Sequence, residues 1–383
     1  MRRLFVLISL VVFLDTAFYA AISPLLPHYA EELDLSKTAA GLLTASYAAG
    51  TLAGAVPGGW LTSRFGVKPT LLLGLGTLSA TSLVFGLAND IVLLDAARFV
   101  QGIGGACSWA AGMAWLVGES PPERRGEIIG SGLAAAIVGV LFGPVLGGAA
   151  TVVGPEAVFG VVALAALALA AWASTMPGSP PAEETSLRLL GSALGHPAVG
   201  AGVWLFLLPA LFAGVLEVLG PLRLDQLGAS GVAIGGIFLV AAAVEAAISP
   251  VAGRISDRRG RMTPIRAGLV GAAAFAVLLP LAGELLLQAA AIVLAIAALG
   301  TFWAPAMAML SDAVEAIGLD QGMGFAITNV AWAGGHVIGG AVGAGLADLY
   351  GDGLPYALLT ALCTATLLAA FRPRRFAVAS AAD

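Results

Sequence analysis

Four ionisable side chains stand inside long apolar stretches: Asp15, Arg98, Glu217 and Glu245. A charge at the centre of a membrane helix costs roughly 2.5–3.5 kcal/mol on insertion scales, which makes each of them a functional candidate. Asp15 shares a helical face with Phe18, Tyr19 and Ile22. A carboxylate beside aromatic rings suits an organic cation, by charge pairing and cation–π attraction, and it can also take up and release a proton. Glu217, close to Pro221, is a second acid able to hold a cation or a proton, and Glu245 lies at similar depth in the next apolar stretch. Arg98 opens the pattern Arg98-x-x-Gln101-Gly102-x-Gly104-Gly105-Ala106. An intramembrane guanidinium must find carbonyls, water or a carboxylate, and Asp15 is the expected partner. Protonating that carboxylate would weaken the pair and free the arginine to change its contacts.

Aromatic residues inside apolar stretches rather than at their ends are Trp109, Trp303, Phe325 and Trp332. Interfacial anchoring does not account for such positions, which leaves pocket lining or lipid contact. Asn329 and His336 are seven residues apart and share about one helical face. Near the ends of apolar stretches, Arg64 with Glu119, and Asp257-Arg258 with Asp312, occupy equivalent places in the two halves of the chain. These pairs are expected to act as conformational latches. Nothing points to a metal or another cofactor, and no nucleotide-binding loop, zinc-protease helix or serine nucleophile elbow occurs. Enzyme chemistry is therefore not expected, and neither is nucleic-acid binding.

These side chains must be carried by membrane helices. Apolar residues are 59% of the 383 and charged residues 11%, about half the soluble norm. Hydropathy marks about twelve spans, near 4–29, 38–61, 69–88, 92–118, 127–150, 154–175, 198–220, 231–253, 264–283, 286–310, 322–347 and 354–371. The apolar run after Arg2 and Arg3 continues past Asp15 to about Pro27, so it reads as a span rather than a secretory signal. Fifteen of the 18 basic residues fall on one side of the resulting topology, with Lys37 and Arg223 on the other and Arg98 in a span. By the positive-inside rule both termini are cytoplasmic. A skew of 16 Arg to 2 Lys points to a GC-rich prokaryotic genome and hence a cell (inner) membrane. Cys107 and Cys363 fall in separate spans, with no structural disulfide expected.

An internal repeat organises these spans. Gly59-x-x-x-Ser63-Arg64-x-Gly66 reappears as Gly253-x-x-x-Asp257-Arg258-x-Gly260, displaced by 194, and Ser23-Pro24-Leu25 reappears as Gly220-Pro221-Leu222, displaced by 197. Gly139, Gly143 and Gly147 recur every fourth residue around Pro144, and Gly335, Gly339 and Gly343 repeat the device. On a helix each set is a stripe without side chains that admits a second backbone closely. The expected fold is all-α, with twelve transmembrane helices as two parallel, pseudo-symmetric six-helix bundles. The bundles are 1–176 and 198–383, with a cytoplasmic connector at 177–197. Parallel repeats of this kind are a transporter architecture, with the ligand near the midplane.

Together these patterns resemble the major facilitator superfamily over essentially the whole chain. The loop after span 2, the Arg98-to-Ala106 pattern and the Gly139-to-Gly148 run resemble its signature motifs, the last being characteristic of 12-helix drug:proton antiporters. Within that branch the chain is similar to vesicular amine transporters in Leu14-Asp15, Leu216-Glu217, Pro305-Ala-Met307 through Asp312, and Gly322-Met-Gly-Phe325-Ala-Ile-x-Asn329. The resemblance implies substrate or proton roles for Asp15 and Glu217 and hinges at the glycine runs. Ser63 stands where the loop motif has Asp, which weakens the first latch. Gly300 and Asn329 stand where amine transporters carry further carboxylates, so their stoichiometry and substrate do not carry over.

The function expected from all of this is proton-coupled export of a lipophilic or cationic small molecule by a monomer in a lipid bilayer. The expected substrate and proton residues are Asp15, Tyr19, Arg98, Glu217, Trp303, Phe325 and Asn329. A metabolite symporter or facilitator of the same fold is the alternative, and a non-transporting membrane receptor a more distant one.

Overall fold

Proline and glycine decide where the helices of this all-helical protein break and how closely they pack. The computed structural model describes residues 2–120, 125–178, 195–318 and 321–371, and side chains at all of these except 125–133 and 321–325. In order the helices are α1 (Arg2–Ala20), α2 (Ile22–Glu32), α3 (Lys37–Phe65), α4 (Val67–Leu87), α5 (Ile91–Gly118), α6 (Arg125–Val153) and α7 (Pro155–Thr175). After the connector come α8 (Pro197–Gln226), α9 (Gly231–Arg259), α10 (Met262–Leu278), α11 (Leu285–Gly300) and α12 (Trp303–Ala316). The last are α13 (Gln321–Val337), a π-helical turn at Ile338–Gly343, α14 (Ala344–Tyr350) and α15 (Gly353–Ala370). The connector expected at 177–197 lies mostly outside the described residues.

Among the described residues, 11 helical segments are long and apolar enough to cross a membrane, and Met262–Leu278 is a shorter apolar helix. The first and tenth spans, read from hydropathy as continuous, are each broken. Proline cannot donate to the carbonyl four residues back, and its ring clashes with it. For Pro24 that carbonyl belongs to Ala20, the last residue of α1. For Pro305 it belongs to Thr301, in the gap between α11 and α12. The π-turn contains no proline and coincides with the second glycine stripe, at Gly339 and Gly343.

The chain divides into two compact units. One holds α1, α2, α3 from Leu42 onward and α4–α7, together with Ser230–Leu239 from the start of α9. The other holds Ser36–Gly41, α8, α9 from Val240 and α10–α15. In the first unit, Leu7, Ile8 and Val11 of α1 pack with Leu71 and Leu75 of α4 and Trp115 of α5. Large apolar side chains such as Val92 and Leu286 are exposed, as suits a surface solvated by lipid.

Both sequence-predicted glycine stripes face a helix backbone. A Cβ at Gly143 would stand 2.8 Å from the Ala17 carbonyl oxygen and would also meet the Ala20 Cβ, and Gly139 and Gly147 meet Phe13, Thr16 and Ala21 in the same way. In the second unit a Cβ at Gly335 would stand 2.7 Å from the Leu207 carbonyl oxygen, and Gly339 and Gly343 abut Leu211 and Val215 of α8. A third stripe, not anticipated, runs along α3. Gly50 and Gly54 press on Phe99 and Ile103 of α5, and Gly58 lies 3.2 Å from the Ala106 carbonyl oxygen.

Candidate functional site

That third stripe builds the site of the first unit, because it holds the Tyr47 end of α3 against the Gly102–Gly105 stretch of α5. Asp15 is 1% exposed. Its Oδ2 accepts from the Tyr47 hydroxyl at 2.8 Å and from the Trp109 indole at 3.2 Å. Its Oδ1 is buried with no hydrogen-bond partner among the described residues. An ionised carboxylate has room for about four hydrogen bonds, so this acid has capacity for a proton or a cation. The space it occupies exists because residue 105 lacks a side chain. A Cβ at Gly105 would stand 2.9 Å from the Tyr47 hydroxyl and 3.0 Å from both carboxylate oxygens.

Arg98 is 1% exposed, and its guanidinium donates to the Phe18 carbonyl at 3.3 Å and the Tyr19 carbonyl at 3.1 Å. Both carbonyls belong to the last turn of α1, just before the break at Ala21. The guanidinium carbon also sits 5.4 Å from the centre of the Tyr47 ring and 5.9 Å from those of Tyr19 and Phe85, at cation–π range. The Tyr19 and Tyr47 rings are 4.9 Å apart. Asp15, Tyr19, Tyr47 and Arg98, all buried, and the half-buried Trp109 therefore form one aromatic and ionic cluster. Within it Arg98 donates to two backbone carbonyls, and its charge also acts on Asp15.

In the second unit, Glu217 Oε1 lies 3.7 Å from His336 Nε2, and His336 Nδ1 is 3.0 Å from the Trp332 carbonyl oxygen. The Trp303 indole donates to Glu245 Oε1, and the Trp303 ring packs on Phe206 at 5.0 Å. Asn329 is half-buried on α13. The Phe325 side chain lies outside the described ones. Sequence reasoning assigned no role to Tyr47 or Gly105 and did not connect Glu245 with Trp303. The every-fourth glycines 50, 54 and 58 were the available signal for the first pair.

One expected latch is different in the structure. Arg258 is exposed, and it is Arg261 that donates to Asp257 at 2.7 Å and to Asp312 at 3.3 Å. The cause is Gly260, whose φ of +88° ends α9 and turns the next residue back over its last turn. Asp257 and Arg261 are then four apart and face each other. These side chains are 35–69% exposed, so each pair contributes about 0–1 kcal/mol. Arg64 lies exposed at the end of α3 and Glu119 directly follows α5.

The family model described as Major Facilitator Superfamily matches residues 8–318 and again 218–382. The chain belongs to the major facilitator superfamily. It is similar to Multidrug resistance protein 2 of Bacillus subtilis, 26% identical over 147 residues that cover 38% of this chain and 37% of that protein. It is also similar to the human vesicular acetylcholine transporter, 35% identical over 134 residues that cover 35% of this chain and 25% of that protein. The matched regions span about a third of the length of the curated relatives, or less. Among solved structures, a D-xylose-proton symporter superposes with a TM-score of 0.79 at 18% identity, over 97% of both chains, which shows a shared fold. As a member of this superfamily the chain is a multi-pass membrane protein, and the clusters around Asp15 and Glu217 lie on its spanning helices.

A substitution at Gly105 separates the site from the scaffold. Gly105→Ala is expected to push the Asp15 carboxyl off the Tyr47 hydroxyl and to lower any Asp15-dependent transport several-fold. The fold should be kept, since the displaced atoms are the ends of side chains. Thermal unfolding in detergent beside transport in proteoliposomes checks both halves of that expectation.

Proposed function

We propose that this protein is a proton-coupled exporter of lipophilic, cationic small molecules, working as a monomer by alternating access. In this reading 1–176 and 198–383 are six-helix bundles joined by a cytoplasmic connector at 177–197, with both termini in the cytoplasm of a prokaryotic cell. The observation that carries the reading is the buried Asp15 carboxyl, with one oxygen unpartnered among the described residues and Tyr19, Tyr47 and Trp109 in its cluster. An organic cation and a proton compete for that carboxyl, and competition for one group is the simplest exchange mechanism. Arg98 supplies the positive charge that keeps the emptied carboxylate tolerable in the membrane. Glu217, Trp303, Phe325 and Asn329 are the further substrate or proton residues of this reading, all in the second half of the sequence. The glycine stripes around Pro144 and at Gly335, Gly339 and Gly343 act as hinges. The latches pair Arg64 with Glu119, and Asp257 with Asp312 through Arg261. The similarity to a multidrug resistance protein and to an acetylcholine transporter supports this substrate class.

The test is uptake of ethidium or tetraphenylphosphonium into proteoliposomes under an imposed pH gradient. Exchange requires accumulation when the interior is acid, abolished by a proton ionophore. Accumulation only when the interior is alkaline would establish symport and end the exporter reading.

A further inference from the structure

Trp109 and Trp303 stand 194 positions apart, the displacement that separates Gly59 from Gly253 in the internal repeat. Each indole donates to a carboxylate inside the spans, Trp109 to Asp15 and Trp303 to Glu245. Each acid also lies against a glycine at repeat-related positions, Gly105 and Gly300. A Cβ at Gly300 would stand 3.0 Å from the Glu245 Cγ. The acids themselves do not correspond, since Asp15 is on the first span and Glu245 on the eighth. The same receiving device, a glycine followed within one turn by a tryptophan, is therefore filled by a carboxyl from a different helix in each half. Packing alone would call for an apolar side chain at either place.

We propose that Glu245 is a second proton-exchanging carboxyl, held by Trp303 in the second unit as Asp15 is held by Trp109 in the first. The inference rests on the proton-coupled reading of Asp15 given above. The titratable groups facing Glu245 are Glu217 on α8 and His336 on α13, both within electrostatic reach. Three ionisable side chains gathered on membrane-spanning helices are costly, which marks this cluster as a functional one. His336 stands against Glu217 at 3.7 Å, whereas the Glu245 carboxyl takes the Trp303 indole. A proton fits this site better than an organic cation. The Trp303 ring is already packed on Phe206, and the backbone at Gly300 closes another flank. Trp303 is in this account a positioning residue that fixes the carboxyl through one hydrogen bond.

Infrared difference spectra between acid and alkaline pH, on the full chain in lipid without substrate, read protonated carboxyls through their C=O stretch. Two membrane carboxyl bands are expected. Asp15→Asn should remove one and Glu245→Gln the other, while Trp303→Phe should shift only the second by deleting its donor. In proteoliposomes Glu245→Gln should lower the proton-to-substrate ratio to about half, as when one of two coupled sites is lost. A spectrum unchanged by Glu245→Gln, or a second band indifferent to Trp303→Phe, overturns the proposal. If Glu245→Gln does not fold, the milder Trp303→Phe decides alone. Both bands present and assigned in a protein that exchanges no cation would support the Glu245 site and sink only the exporter reading.

Discussion

Asp15→Asn is expected to lower pH-driven accumulation of a lipophilic cation by more than tenfold while leaving the protein folded. The amide keeps an oxygen for the Tyr47 hydroxyl and the Trp109 indole, which donate at 2.8 and 3.2 Å, so the packing around residue 15 has no reason to change. What disappears is the negative charge and the ability to take up a proton. At about 4 Å and an effective dielectric of about 20, a cation and a carboxylate attract by roughly 4 kcal/mol. Retaining only a third of that after desolvation still corresponds to about tenfold in affinity. Loss of affinity and loss of coupling are separable. Exchange of labelled for unlabelled substrate needs binding alone, whereas uphill accumulation needs the proton as well. Both should fall in Asp15→Asn if the cation pairs with this carboxyl. Accumulation at the parental level in a correctly folded variant would remove Asp15 from the mechanism.

The parts of this site legible in the sequence are those fixed by single residues or by spacing within one helix. Asp15 and Arg98 stand out because a charge in an apolar span is costly wherever the helix ends up. The stripes at Gly139 and Gly335 are legible because period four on a helix means one face, whatever covers it. The helix breaks were also within reach, since Pro24 and Pro305 each disable a carbonyl four residues earlier, but hydropathy averages over them. The contacts of Asp15 were not legible. Its donors come from α3 and α5, 32 and 94 residues away, and helix periodicity says nothing about which neighbour meets which face. Arg98 illustrates the same limit. Charge alone says that it needs carbonyls, water or a carboxylate, but not that the Phe18 and Tyr19 carbonyls at the end of α1 are within its reach. The latch on Asp312 depended on one torsion angle, the positive φ of Gly260, which decides whether Arg258 or Arg261 turns toward it.

Gly334 and Gly335 offer the sharpest test of the scaffold, because neighbours in sequence should respond in opposite ways. Among the described residues a Cβ at Gly334 has nothing within 4 Å, whereas one at Gly335 would strike the Ala210 Cβ at 2.6 Å and the Leu207 carbonyl oxygen at 2.7 Å. Carbon atoms do not approach that closely, and the carbonyl belongs to the α8 backbone and cannot swing aside as a side chain would. Forcing extra atoms into a filled interface costs about 1–3 kcal/mol when side chains can adjust, and more when backbones must separate. Gly335→Ala is therefore expected to destabilise by about 2–3 kcal/mol and Gly335→Leu to abolish folding. Gly334→Ala should stay within about 0.5 kcal/mol of the parent. Gly339 and Gly143 predict the same outcome for the second and first units, since each abuts a backbone or Cβ of α8 or α1. Thermal unfolding in detergent and the yield of monodisperse protein measure all of these. Equal tolerance at 334 and 335 would mean that the stripe does not face α8, and the account of how α13 is held to α8 would fall with it.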